Sequence, residues 1–281
     1  MSHSEAVTSL NHIPCVAPYG ECAVRVFWDA EIRPDIHRQV RALHEELERR
    51  PFPGMLECVP SYAAVTVFYD PYTVWTARKQ GDFGRDFSAE DPVYRTIVSL
   101  LEKRAAALDI LAVSEPAVVE IPICYGGEYG PDLEEVARHA GMTPEEVVKV
   151  HASGEYLVYM LGFAPGFPYL GGMAESIAAP RRETPRSAIP AGSVGIAGKQ
   201  TGIYPLSTPG GWQLIGRTPL PLFRPTEDPP SLLRAGDIIV FRPISRDEFR
   251  RLEQSGEYAV SEGASGAEAS QAEISHGEER L

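Results

Sequence analysis

Cysteine is scarce in this chain: four thiols, Cys15, Cys22, Cys58 and Cys124, among 281 residues. They show no C-x-x-C spacing and no histidine companion. That argues against a disulfide framework or a zinc ribbon and for idle thiols in a reducing compartment, with no metal set expected. Apolar runs of membrane-spanning length are also missing, so no membrane partner is expected. The opening "MSHSEAVTSLNHIP" lacks the basic and apolar regions of a signal peptide, and a cytoplasmic location follows as the expectation. Basic residues are in deficit. The net charge of −13 argues against a nucleic-acid partner. From Ser255 onward six glutamates face one arginine, yet the body remains acidic without them.

What is present is the composition of a folded protein, 43% hydrophobic and 23% charged. "CAVRVFWD" (Cys22 to Asp29) alternates like a strand. In "RPDIHRQVRALHEELERR", Ile36, Val40, Leu43 and Leu47 fall on one helical face, and Pro51 and Pro53 stop the helix. Strands are expected at Leu56 to Val59 and Ala63 to Tyr69, a second helix at Asp91 to Leu108, and a strand at Ala117 to Tyr125. This β-α-β-β-α-β order predicts a small two-layer α+β domain over residues 13–115.

Farther on, Asp132 to His139 reads as a helix stopped by Gly141. Thr143, Pro144 and Glu146 then form a capping box for a second helix. The pair has helix-turn-helix spacing, but it offers Glu145 and Glu146 where base-reading residues would stand, so it reads as a structural insertion. Eleven glycines and seven prolines between residues 162 and 216 exclude long helices and predict short strands and rigid loops, as in a barrel. A closing strand is expected at Asp237 to Ser245, then a terminal helix. Residues 259–281 have the composition of a disordered acidic tail.

"SVGIAGKQ" nearly matches a phosphate loop. Ser193 stands where the first glycine belongs, however, and Gly202 and Pro205 forbid the helix that must follow Lys199. Arg181, Arg182 and Arg186 gather beside prolines, suited to carboxylate or phosphate. His151 and Glu155, four residues apart, offer a general acid or base or simply a structural hydrogen bond. "GFAPGFPYLGGM" and "STPGGWQLIG" are stiff, aromatic and glycine-studded. They read either as walls of one cleft or as an interface with another protein chain.

With "IPICYGGEYGPDLEEVA", "VHASGEYLVYMLGFAPGFPYLGG" and "PRRETPRSAIPAGSVGIAGKQTGIYPLSTPGGWQLIGRTPLPLF", the chain resembles the 5-oxoprolinase B-subunit family, also called KipI-like or allophanate hydrolase subunit 1. The resemblance is dense from Val119 to Phe241. It implies an α+β N-terminal domain followed by a mainly β, cyclophilin-like barrel domain over residues 117–255 with a helical insertion. It also implies two partners, the enzyme's C-type (KipA-like) and A-type components, with which the protein opens 5-oxoproline to glutamate using ATP. A carboxyltransferase role on urea is one alternative. The chain has no M-K-M attachment segment, so biotin would then arrive on a partner. Inhibition of a histidine kinase is another. The expected catalytic set is His151, Glu155, Arg181, Arg182, Arg186 and Lys199. The expected small-amide site is Gly166, Phe167, Pro168, Tyr169, Gln200, Tyr204, Gly211 and Trp212.

Overall fold

The computed structural model describes residues 13–29, 31–84 and 91–256; the expected acidic tail, 259–281, lies outside them. The architecture is mixed α/β, with two sheets that each cover their own apolar core.

The first sheet joins β1 (Cys15–Pro18), β2 (Ala23–Phe27), β3 (Met55–Pro60) and β4 (Ala64–Tyr69) in the order β1-β2-β4-β3, antiparallel throughout. Period-2 alternation turns Val24, Val26, Val65 and Val67 to one face. There they meet α1 (Pro34–Arg49), whose Ile36, Val40, Leu43 and Leu47 are all fully buried, as their helical spacing predicts. The second predicted helix is α3 (Val93–Ala106), with Ile97 and Leu101 in the same core.

Three features depart from the sequence reading here, the first being the edge strand β1, which precedes the first strand expected from sequence. A further helix, α2 (Pro71–Gln80), follows β4; Asp70 caps it through the Tyr72 and Thr73 N–H groups, and Gly81 ends it in the left-handed region. The strand at 117–125, β5 (Val118–Tyr125), does not join this sheet. It lies in the second one, parallel to β13 (Ile238–Pro243) and antiparallel to β12 (Gln213–Arg217). β13 is therefore not a closing strand at an edge: it lies between β5 and β6 (Glu155–Leu161).

The second sheet has seven strands in the order β10-β9-β12-β5-β13-β6-β7. The remaining strands are β7 (Pro168–Gly171), β9 (Ser193–Ala197) and β10 (Gln200–Ile203). The sheet curls until β10 and β7 lie side by side with no ladder between them, a nearly closed barrel with one open seam. A two-stranded sheet of β8 (Arg186–Ile189) and β11 (Thr208–Gly210) flanks that seam. Helices α4 (Leu133–Ala140) and α5 (Pro144–Ala152) bury Val136 and Val147 in the barrel core, a packing role that suits a structural insertion. The capping box at Thr143 forms as predicted, with Glu146 returning a bond to the Thr143 N–H at 2.7 Å. The near-match to a phosphate loop is the β9–β10 hairpin, so no helix opens at Lys199. The chain ends its described part in α6 (Arg246–Ser255). No helix among the described residues is long and apolar enough to cross a membrane.

Candidate active site at the barrel seam

The open seam carries a cavity of about 270 Å³. Its lining includes seven of the residues expected from sequence: Phe167, Tyr169, Arg181, Gln200, Tyr204, Gly211 and Trp212. Tyr169 comes from β7 and Gln200 from β10, so the two unpaired edge strands form opposite walls. The aromatic wall is a set of edge-to-face contacts centred on Phe167. Its ring centroid lies 5.9 Å from Trp212, 5.6 Å from Tyr204 and 5.2 Å from Tyr169. Such packing holds the rings in fixed orientations before any ligand arrives.

Glycine makes the close approaches possible. A Cβ on Gly210 would sit 2.7 Å from the Tyr204 hydroxyl, and one on Gly166, at φ 79°, would crowd the Leu222 carbonyl at 3.1 Å. Gly166 thus turns the loop behind the wall, and Pro168 is buried at the first position of β7; neither lines the cavity.

Sequence reasoning missed Phe163 at the mouth. It is the one non-glycine residue with positive φ among the described residues, at 65°, and the Ala164 N–H reaches back to the Gly162 carbonyl at 2.7 Å. That is a γ-turn, a strained conformation that costs on the order of 1–3 kcal/mol and collects at functional sites. The residue is 68% exposed.

The arginines divide. Arg181 is exposed on the cavity wall and has no hydrogen bond or ion pair among the described residues. Arg182 and Arg186 instead turn onto Asp132, at 2.9 and 2.7 Å. Asp132 is buried, and its other oxygen accepts the Leu214 N–H at 2.7 Å. One carboxylate therefore ties the arginine loop to the barrel wall, and these two arginines are structural ties rather than cavity cations. No local motif announces Asp132, which lies 50 and 54 residues from its partners.

The expected proton-handling pair is not brought to the cavity. His151 is fully buried inside the barrel, stacked on Phe241 with centroids 4.6 Å apart. Nδ1 meets the Tyr125 hydroxyl at 2.8 Å and Nε2 meets the Thr201 hydroxyl at 2.9 Å. Because Thr201 passes its own proton to the Gly195 carbonyl, Nε2 is the donor and Nδ1 accepts from Tyr125. Burial drives the imidazole down to about 3 and the Tyr125 hydroxyl well up, so both stay neutral. Glu155 is exposed at the start of β6, and His151 bonds Tyr125 and Thr201 in place of it. Lys199 is an exposed partner of Glu175 at 2.6 Å and also lies off the cavity. Burial raises Tyr204 to about 12, with Arg181 and Arg186 pulling the other way, so its hydroxyl remains a donor.

The family described as "Carboxyltransferase domain, subdomain C and D" matches residues 14–233. The 5-oxoprolinase B subunit of Bacillus subtilis (strain 168) is 52% identical over 230 residues, 82% of this chain and 92% of that protein. Its namesake from Escherichia coli O157:H7 is 58% identical over 129 residues, 46% of this chain and 59% of that protein. A crystal structure of TTHA0988 superposes at TM-score 0.63 and 35% identity over 79% of this chain, which spans 40% of that one. The Kluyveromyces lactis urea amidolyase, at 17% identity and TM-score 0.58 over 86% of this chain and 15% of its own, shares the fold. Matched over residues 14–233 and followed along nine-tenths of a relative at better than half identity, this chain belongs to the 5-oxoprolinase B-subunit family.

Proposed function

We propose that this chain is the amide-binding component of an ATP-dependent 5-oxoprolinase, a cytoplasmic hetero-oligomer completed by the C-type (KipA-like) and A-type components. The observation that carries the reading is the seam cavity: an aromatic slot whose lining holds one cation, Arg181, which makes no hydrogen bond or ion pair among the described residues, in a chain of this family. In this reading residues 13–115 and 117–255 are two domains, the second a cyclophilin-like barrel.

A 5-oxoproline molecule is a flat lactam bearing one carboxylate. Arg181 pairs with the carboxylate, a charge-assisted contact worth roughly 1.5–3 kcal/mol. Trp212 and Phe167 hold the ring faces and exclude water. The Gln200 amide and the protonated Tyr204 hydroxyl serve the lactam group.

The lining residues include no carboxylate, imidazole or thiol, and in this reading the chain's part is to hold and orient the amide. A small amide suits the cavity better than ATP. About 270 Å³ and one cation suit a small amide, whereas a nucleoside triphosphate needs a larger pocket and several cations. ATP, and the group that activates water, are accordingly assigned to the partner proteins, which makes the isolated chain inactive.

The test is glutamate and ADP release from 5-oxoproline by the reconstituted complex, with each protein omitted in turn and urea offered in place of 5-oxoproline. ATP-coupled glutamate release that needs this chain is expected. A well-formed complex that consumes ATP on urea alone, or not at all, overturns the assignment.

A further inference from the structure

Away from the seam, the fold gives Cys58 the histidine companion that the sequence lacks. His44 and Glu48 are one helical turn apart on the same face of α1, and Cys58 on β3 packs beneath them. The Nδ1 of His44 lies 3.4 Å from the Cys58 Sγ, and the three side chains' ligand atoms all fall within 4.8 Å of one another. We propose that His44, Glu48 and Cys58 form a divalent-metal site of the zinc class, clipping α1 to β3.

Three observations support it. Imidazole, thiolate and carboxylate together are the ligand types zinc takes, and hard cations such as magnesium avoid sulfur. Bonds of ~2.0 and ~2.3 Å at a tetrahedral angle put nitrogen and sulfur about 3.5 Å apart, close to the 3.4 Å found. An S–H···N hydrogen bond alone would account for the His44–Cys58 pair, but it gives no part to Glu48, which is exposed and free to swing in by the remaining distance.

A dication makes neutral imidazole and thiolate the preferred forms. His44 also lines an open cavity of about 600 Å³ that touches Arg41, Ser114 and Asp237, and Glu48 is exposed, so two of the three ligands can be reached from solvent.

On binding, the Cys58 S–H bond breaks, sulfur keeps the electron pair and donates it to the metal, and the proton goes to solvent. About one proton is therefore released per metal bound. Three protein ligands leave one coordination position to water.

Cobalt(II) chloride titrated into the metal-free full-length protein tests this. The expected result is one cobalt per chain with a thiolate-to-cobalt charge-transfer band, displaced by zinc, and about one proton released on calorimetry in two buffers. Cys58→Ser removes the band. Glu48→Gln, an exposed change that spares the fold, weakens binding at least about tenfold while circular dichroism is unchanged. No band, a band that survives Cys58→Ser and so belongs to Cys15, Cys22 or Cys124, or unchanged affinity in Glu48→Gln overturns the proposal.

Discussion

Gln200 and Thr201 are neighbours on β10, and the pleat sends their side chains to opposite faces of the barrel wall. On the inner side, Thr201 belongs to a closed chain of hydrogen bonds from Tyr125 through His151 and Thr201 to the Gly195 carbonyl. On the outer side, Gln200 has one long contact, 3.4 Å to the Tyr62 hydroxyl, and faces the unengaged Arg181 across the cavity. The inner cluster holds the more familiar catalytic residue, a histidine between two hydroxyls. Both ring nitrogens of that histidine are nevertheless engaged within the protein, and the side chain is fully buried. The outer face has donors without partners and a strained turn at Phe163, which is what a surface prepared for a ligand retains. Unused bonding capacity, rather than residue type, separates the site from the scaffold.

The largest effect expected on this contrast is at Asp132, where the scaffold holds the loop that bears Arg181. Asp132→Ala leaves the buried Leu214 N–H unpaired, at about 1–3 kcal/mol, and releases two arginines that are 36% and 23% exposed, each pair adding up to ~1 kcal/mol. Denaturant unfolding reads it directly. A loss below about 1 kcal/mol, the range of exposed pairs, would mean that the loop is held by other contacts and that the division between structural and cavity arginines is misplaced.

Next in size is Arg181→Ala, which should do the reverse. Arg181 has no partner among the described residues, so stability stays within about 0.5 kcal/mol, the usual range for surface changes. Turnover of 5-oxoproline by the complex falls roughly 10- to 150-fold, the equivalent of a charge-assisted bond of ~1.5–3 kcal/mol. Equal losses in Arg181→Ala and Lys199→Ala would erase the distinction, because Lys199 engages only Glu175 at the exposed surface.

How much of this is legible in the sequence depends on how far apart the cooperating residues lie. The apolar stripe of α1 and the capping box at Thr143 are local patterns, and both form as read. The exclusion of a helix after Lys199 by Gly202 and Pro205 also holds, and the β9–β10 hairpin stands in its place. The helix α2 escapes a periodicity reading because only Val74, Ala77 and Arg78 along it are buried, too few to mark a stripe; its Asp70 cap and Gly81 stop were the available signals. The sheet to which β5 belongs is decided by pairing with β13, whose partners lie about 120 residues away along the chain. The aromatic wall was readable because its loops are stiffened by their own prolines and glycines. The roles of Asp132 and of His151 were not, since burial and partner choice arise only once the barrel closes around them.

The third effect probes buried imidazoles by pH, His151 on the inner side of the barrel and His37 on α1. His151 titrates near 3 and His37 near 4 when folded, against 6.5 for an unperturbed imidazole; burial is the main cause in both, and Arg41 adds to it for His37. A base whose folded pKa is depressed binds its proton preferentially in the unfolded chain. Stability from these two groups is therefore complete above pH 6.5 and falls as pH drops below it. The fall continues to about pH 4 for His37 and about pH 3 for His151. Each group contributes a slope approaching ~1.4 kcal/mol per pH unit inside its window. The unfolding free energy measured between pH 7 and 4 should therefore fall more steeply than in a His37→Leu variant. A His151 ring signal that titrates in the folded protein near its ordinary value would show the inner cluster open to protons. It would then join the cavity as a working surface, and the contrast across β10 would collapse.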